Sequence, residues 1–191
     1  DQDDLDDKGN IRKENDMDYY QHIVGAYASY TFKLKKFSLR LGGRLEGTYQ
    51  DVRFADEVAR NFKVRFLDLI PYVSTSFKLT DASNLRVSYN NGISRPSIWF
   101  LNPYVDDKDP YLISYGNPNL KSERSHNVSV SYGLFSQKLN LSISVYSSIV
   151  NNSIESNDSV DSKGIRYHTY ANIGSNGNLG GSFYINYNPI K

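Results

Sequence analysis

Hydrophobic and polar residues alternate along much of this chain with a period of two residues, the pattern that predicts β-strands. The alternation is clearest between Phe37 and Tyr49, where apolar or small residues alternate with a set that contains Arg40, Arg44 and Glu46. Because charged side chains need water, one face of this strand must contact solvent or a wet lumen. The same pattern predicts seven long strands, near residues 24–34, 37–49, 62–79, 85–93, 125–134, 139–149 and 165–187.

Two of these predicted strands contain irregular positions. Pro71 lies inside the third strand and cannot donate a ladder hydrogen bond, so we expect a bulge or a sheet edge there. In the last segment the apolar positions keep one parity from Ile165 to Tyr187. This constant parity favours one very long strand, kinked near residues 174–181, over two short strands.

The connections between the predicted strands alternate in length. Short turns are predicted near residues 35–36, 80–84 and 135–138, and long polar loops near residues 51–61, 95–124 and 150–164. Outer-membrane barrels sort their connections in this way, with short turns on the periplasmic side and long loops outside, whereas a soluble sandwich has no reason to do so. We therefore expect an all-β fold, an antiparallel meander of about seven long strands that forms a partial transmembrane β-barrel.

Composition agrees with strands and removes several functional classes. The 16 Tyr and 9 Phe stand against one Met and one Trp, an aromatic excess suited to strands and membrane interfaces. No run approaches the roughly 18 apolar residues of a membrane helix. The net charge of +1, with Lys and Arg spread along the chain, argues against a nucleic-acid partner. The lack of Cys excludes disulfides, thiolate nucleophiles and cysteine zinc sites.

The residues that usually carry catalysis or bind metals form no recognisable motif. His22, His126 and His168 lie on separate predicted strands, and neither a zinc-binding H-E-x-x-H pattern nor a G-x-S-x-G nucleophile elbow is present. Acidic clusters at residues 1–7 and 106–109 offer carboxylates for Ca²⁺ but lack EF-hand spacing, so we interpret them as solvated loop charge. We expect no catalytic residue, no metal site and no cofactor, and hence no enzyme.

A proline-rich stretch near residues 89–132 carries the most specific pattern in the sequence. It has an Arg-Pro pair, then an aromatic residue and Leu-Asn-Pro, and later Gly-Asn-Pro-x-Leu-x-x-Glu before a strand. The residues are Arg95, Pro96, Trp99, Leu101, Asn102 and Pro103, followed by Gly116, Asn117, Pro118, Leu120 and Glu123. In this order and spacing the chain resembles the barrel region of TonB-dependent outer-membrane receptors, particularly the outer membrane protein beta-barrel family. A weaker match follows at Tyr170, Asn172, Ile173 and Gly174.

The resemblance implies a receptor in the outer membrane of a Gram-negative bacterium, which takes up a nutrient with energy delivered through TonB. Its expected partners are outer-membrane lipid, the TonB system acting through a plug domain, and a small-molecule, glycan or peptide ligand. We expect residues 1–191 to be a segment of one barrel domain, with a polar extracellular loop at 1–18 and barrel strands within 19–188. The plug and the remaining strands are expected to lie outside this sequence.

The long loop at 95–124 holds the candidate residues for ligand contact. Aromatic rings stack on sugars or other flat solutes, and the loop presents Trp99, Phe100, Tyr104, Tyr111 and Tyr115. The alternative for these rings is an interfacial aromatic girdle or packing of the loop on itself.

The motif residues themselves are interpreted as structural. Four prolines restrict the backbone and predict an ordered loop. The Glu123 carboxylate is expected to accept bonds from the Gly-Asn-Pro turn. The competing hypothesis for the whole chain is a soluble or surface-exposed β-sandwich binding module, for example for carbohydrate. It requires shorter strands and apolar faces that bury each other.

Overall fold

The computed structural model of the protein describes residues 17–54 and 61–189, which form one continuous sheet of nine strands. The elements are β1 (Met17–Leu34), β2 (Phe37–Phe54), β3 (Phe62–Lys78), β4 (Ser83–Ser94), α1 (Ile98–Leu101), β5 (Asp106–Asp109), β6 (Leu112–Ser114), β7 (Glu123–Phe135), β8 (Leu139–Val160) and β9 (Arg166–Tyr187). The sheet order is β1-β2-β3-β4-β7-β8-β9-β6-β5, and the sheet curls into half of a barrel. Within the described residues, no helix has the length and apolar character needed to span a bilayer.

The prediction of seven long antiparallel strands is confirmed. These strands run from 12 residues in β4 to 22 residues in β8 and β9, well beyond the usual strand length of about five or six residues. The predicted short turns connect them, and Leu34 pairs directly with Phe37 across the first turn. β1 begins at Met17, inside the segment predicted as loop, while residues 1–16 and 55–60 lie outside the described residues.

Strand pairing is interrupted at the two places that the sequence marked as irregular, Pro71 and the part of β9 near Gly174. At Pro71 the expected sheet edge is confirmed and the alternative, a bulge, is not, because β3 pairs with β2 through this residue without a register shift. The pairing of β3 with β4 instead ends at Tyr72, so the imino nitrogen of Pro71 lies where that ladder has already stopped. β9 is one continuous strand as predicted, and the register shifts where the pairing skips Asn152 of β8 (φ 56°) and Ser153 pairs with Gly174.

The two faces of the sheet differ in chemistry. On one face, Leu45 pairs with Leu69 and Val87 pairs with Val130, so apolar residues form a band that crosses neighbouring strands. These side chains are exposed, with Leu67 at 73%. A hydrocarbon medium is what can cover such a band, and it faces lipid in a barrel. The sandwich hypothesis is therefore wrong for the described residues, which form a single sheet with its apolar face uncovered.

The opposite face, called here the polar face, carries Ser, Asn and Arg at alternate positions. Two tyrosines lie flat on glycines of the neighbouring strand on this face. A Cβ atom on Gly42 or Gly180 would collide with the ring of Tyr72 or Tyr146. Glycine at these positions gives each ring a place against the backbone, which shields ladder hydrogen bonds from the wet lumen.

Candidate ligand-binding site

The loop at residues 95–124 folds back onto the polar face of the sheet near the outer end of β3. Leu101, at the end of α1, and Leu120 are buried against Val64. Partly buried side chains complete this cluster, namely Phe62, Phe66, Phe100, Ile154 and Tyr170. Burial of one such leucine contributes roughly 1.5–3 kcal/mol, so apolar packing holds the loop against the barrel wall.

The first half of the loop is also tied to the wall by ion pairs. Arg95 donates to the carboxylates of Glu46 on β2 and of Asp68 on β3, the latter at 3.1 Å. Both carboxylates are buried. Glu46 also pairs with Arg44, which lies on the same strand. Sequence reasoning singled out Arg95 but missed its partners, because they come from strands that precede it by 49 and 27 residues.

The second half of the loop reaches the same carboxylate. Arg124 donates to Asp68 at 3.3 Å, and the Ser122 hydroxyl donates to it at 3.3 Å. A further bond runs from Arg124 to the backbone carbonyl of Leu69 at 3.4 Å. Asp68 therefore joins both ends of the loop, and we call the group Arg44, Glu46, Asp68, Arg95 and Arg124 the Asp68 network.

The Gly-Asn-Pro part of the motif locks the loop onto itself. The amide of Gly116 donates to the carbonyl of Asn102 at 2.9 Å, and that of Asn117 donates to the carbonyl of Phe100 at 2.6 Å. The Asn117 side chain donates to the carbonyl of Tyr170 on β9 and accepts from the amide of Asn119. These contacts explain the adjacent Gly and Asn of the motif. Gly116 permits a close approach of the two backbone segments, and the Asn117 side chain bridges to β9.

The hydrogen-bond partner predicted for the Glu123 carboxylate is wrong. This carboxylate accepts a hydrogen bond from the amide of Ile154 on β8 at 2.8 Å, and not from the Gly-Asn-Pro turn. The reason is the register shift at Asn152, which takes the amide of Ile154 out of the regular ladder. Asn172 secures the same corner, since it accepts from the amide of Lys121 and donates to its carbonyl.

Three of the five candidate aromatic residues share one pocket. Trp99, Tyr104 and Tyr115 line a cavity of about 270 Å³ together with His168 and Tyr170 of β9. The Trp99 side chain is 69% exposed, so its ring is open to solvent beside the cavity. The short hairpin of β5 and β6, which pairs in parallel with the start of β9, forms one side of this pocket.

The other two candidates lie elsewhere. Phe100 packs against Tyr170 with ring centroids 4.5 Å apart, so it belongs to the apolar cluster under the loop. Tyr111 is 70% exposed at the tip of the hairpin and does not line the pocket. The expectation treated all five rings alike because sequence carries no sign of which ring turns inward.

Two acidic side chains of the β5–β6 hairpin accept hydrogen bonds from backbone amides in its turns. Asp106 accepts from the amide of Lys108, and Asp109 accepts from the amide of Tyr111 at 2.9 Å. These are side-chain turn contacts of the kind that aspartate commonly makes. In residues 17–54 and 61–189, no group of three or more His, Asp or Glu side chains is arranged to hold a metal ion. The acidic cluster at 1–7 lies outside the described residues.

An ion-paired carboxylate lies next to the pocket. Asp158 is 19 residues beyond Leu139 at the start of β8, far outside an apolar band of roughly 25 Å. Its pKa is lowered, first by the hydrogen bond from Arg166 and then by that with His168. His168 in turn contacts the Tyr170 hydroxyl at 3.3 Å.

Because the folded-state pKa of Asp158 is depressed, its contribution to stability is present above the ordinary value of about 3.9 and is lost as pH falls through the lowered value. We expect the amide protection of residues 158–168, corrected for intrinsic exchange, to drop in hydrogen-exchange measurements as the pH is lowered below the ordinary aspartate value of about 3.9. Asp158→Asn should remove this pH dependence. An unchanged pH dependence in that variant would show that another group controls the amide protection of residues 158–168.

Together, the long sheet, its lipid-facing band and the inward-folded loop define the wall of an outer-membrane β-barrel. The model of the outer membrane protein beta-barrel family matches residues 1–191, so the chain belongs to this family and to the outer membrane. The resemblance drawn from the Arg95 to Glu123 motif is therefore confirmed.

Solved structures of receptors and transporters share this fold. The copper transporter OprC is 18% identical with a TM-score of 0.67, over 91% of this chain and 27% of that chain. The Serratia marcescens hemophore receptor HasR is 14% identical with a TM-score of 0.68, over 88% and 32%. The Neisseria meningitidis iron transporter FrpB is 13% identical with a TM-score of 0.61, over 89% and 24%.

The chain thus spans about a quarter to a third of the length of these structures. They are transporters and receptors, and none of the three is described as an enzyme. The search of curated proteins finds no match to this sequence.

Proposed function

We propose that this chain forms part of the barrel wall of a TonB-dependent receptor that takes up a nutrient ligand. The observation that carries the proposal is the loop at 95–124, which is bound to the polar face by the Asp68 network and holds an aromatic pocket at the outer end of the wall. A loop fixed in this way presents a preformed site to a ligand arriving from outside. Its role is binding and passage, without chemistry on the ligand.

We further propose that Trp99, Tyr104 and Tyr115 contact the ligand. Their pocket combines ring faces with the side chains of His168 and Asp106, so it suits a small solute with a flat or apolar part and hydrogen-bonding groups. The structural neighbours carry printed descriptions that include copper, heme with its hemophore, and iron. These ligands set the first probes for the full-length protein.

Transport is tested with the full-length gene in its own host. Accumulation of copper, heme and iron from ferric citrate is measured in the wild-type strain, in a strain without this gene, and in a strain without TonB. We expect one probe to accumulate only when both the gene and TonB are present. Equal accumulation in the three strains for every probe would contradict uptake of these ligands, and TonB-independent uptake would contradict the energy source.

The pocket is tested by removing its exposed rings. Trp99→Ala combined with Tyr115→Ala should raise the half-saturating concentration of the accumulated probe roughly 10-fold, since each ring contact is worth about 0.5–1.5 kcal/mol. Tyr111→Ala is the matched control, because this tyrosine is as exposed as Trp99 on the same loop but lies outside the pocket. Equal effects of the two changes would show that the pocket is not the contact site.

A further inference from the structure

The sheet contains a seam between β3 and the strands that follow it. β3 pairs with β2 from Phe62 onward, but its ladder with β4 covers only Tyr72 to Lys78. β4 and β7 stay paired with each other up to Ser94 and Glu123. Beyond Tyr72, the strands therefore separate, and the edge of β3 that faces the seam has no partner strand among the described residues.

A cleft of about 400 Å³ occupies this seam. One wall is the β3 edge, from Val64 to Asp68, and the other is the loop segment from Pro118 to Ser122. Arg124 crosses the seam at its inner end, where it donates to the Leu69 carbonyl and to Asp68. The unpaired backbone amides on this side of β3 point into the cleft, because every second residue of a strand directs its N–H and C=O to the same side.

The cleft opens at the level where the lipid-facing band ends. Leu67 is a highly exposed member of that band, and the next residue outward on the same face of β3 is Arg65. The Arg65 guanidinium lies 5.4 Å from the ring centroid of Tyr49, which pairs with Arg65 on β2. Tyr49 is 12 residues beyond Phe37, a height of roughly 30 Å for a tilted strand, which is the outer membrane–water interface.

The charges around the cleft favour an anion. Arg65, Lys121 and Arg124 line it, against one carboxylate, Asp68. Among the described residues, neither Arg65 nor Lys121 has an ion-pair partner, while Asp68 is paired with both Arg124 and Arg95. Among the described residues, Arg65 and Lys121 therefore line the cleft without an ion-pair partner, and Arg65 lies directly above the exposed Leu67.

We propose that this cleft binds the phosphorylated headgroup of an outer-leaflet lipid, with Arg65 and Lys121 holding the phosphate. The acyl chains of such a lipid lie along the apolar band that continues below through Leu67 and Leu69. A lipid has an anionic headgroup at the interface and hydrocarbon beneath it, which matches this arrangement. A free anion would contact only the basic side chains of the cleft. The proposal rests on the position in the membrane and is independent of which nutrient the receptor takes up.

The test uses the full-length protein in detergent, with diphosphoryl lipid A as the probe and native mass spectrometry to count bound lipid. The dissociation constant should rise roughly 10-fold to 30-fold in Arg65→Ala/Lys121→Ala. Lys36→Ala/Lys138→Ala is the matched control, since it removes two charges at the periplasmic turns, and its dissociation constant should equal that of the wild type. Equal binding by the two double variants would overturn the proposal.

Measurements on the unaltered protein test the same point without a substitution. Dephosphorylated lipid A should bind at least about 10-fold more weakly than the diphosphoryl form. Equal binding would mean that the cleft is only apolar. Displacement of lipid A by millimolar inorganic phosphate would identify a free-anion site, and a peptide mass retained on protein purified from outer membranes would identify strand addition to the β3 edge. Each of these results overturns the lipid assignment.

Discussion

Replacing Asp68 with asparagine is expected to release the loop at 95–124 from the barrel wall. The Asp68 carboxylate accepts from Arg95, Arg124 and Ser122, so it is the point where both ends of the loop meet. Its removal leaves Arg95, only 14% exposed, with one carboxylate for a buried guanidinium. Breaking a buried pair by removing one partner costs roughly 3–5 kcal/mol.

The contribution of Arg124 to this loss is small, because its side chain is 38% exposed and water screens the pair. Loss of the Arg95–Asp68 interaction alone, at the lower end of this range, should increase the fraction of open loop on the order of 100-fold. Cleavage by trypsin after Lys121, in folded full-length protein, reports that fraction when opening is fast relative to cleavage.

Asp81→Asn is the matched control for this experiment. Asp81 is a fully exposed carboxylate in the turn between β3 and β4, paired with Lys78 at 2.9 Å. Its replacement removes the same charge from the same part of the chain and should leave cleavage at Lys121 at the wild-type rate. If the Asp68→Asn variant remains folded and is also cleaved at that rate, the apolar cluster of Leu101 and Leu120 is sufficient to hold the loop.

The long strands could be predicted from the sequence because their pattern is local and repeated. In β2, each alternate residue from Phe37 onward belongs to one face, and a one-residue slip would bring Arg40 and Glu46 into lipid. This penalty recurs in every long strand, so periodicity fixes both the strands and their faces. The hairpin of β5 and β6 was missed, since strands of four and three residues are too short to show a period.

The interior of the site could be predicted only as a list of residues. The motif marks Arg95 and Glu123, but their partners are an ion-pair network on two earlier strands and an amide freed by a register shift on β8. Such contacts depend on how the loop folds over the sheet, and no local pattern encodes that path. For the same reason, the sequence could not separate the buried from the exposed aromatic candidates. Phe100 packs against the apolar cluster, whereas Trp99 is exposed to solvent.

Gly116→Ala is the second change expected to have a large effect, and it acts within the loop itself. A Cβ atom here would lie 2.7 Å from the Phe100 carbonyl oxygen and 2.8 Å from the Asn102 nitrogen, closer than such atoms ever approach. Because these are backbone atoms, the clash is relieved only by separating the two halves of the motif. Steric strain of roughly 1–3 kcal/mol then adds to the loss of two hydrogen bonds, each worth about 1 kcal/mol.

We expect hydrogen exchange of the amides at 100–121 in the folded full-length protein to speed up on the order of 100-fold in Gly116→Ala. Gly47→Ala is the control, because its Cβ would meet nothing closer than the Val24 carbonyl oxygen at 3.9 Å. The Asp68 network holds the ends of the loop and Gly116 holds its middle. If only exchange near residues 100–103 and 115–118 rises, the motif closes a local turn, whereas faster exchange throughout the loop means that the turn and the network fold as one unit.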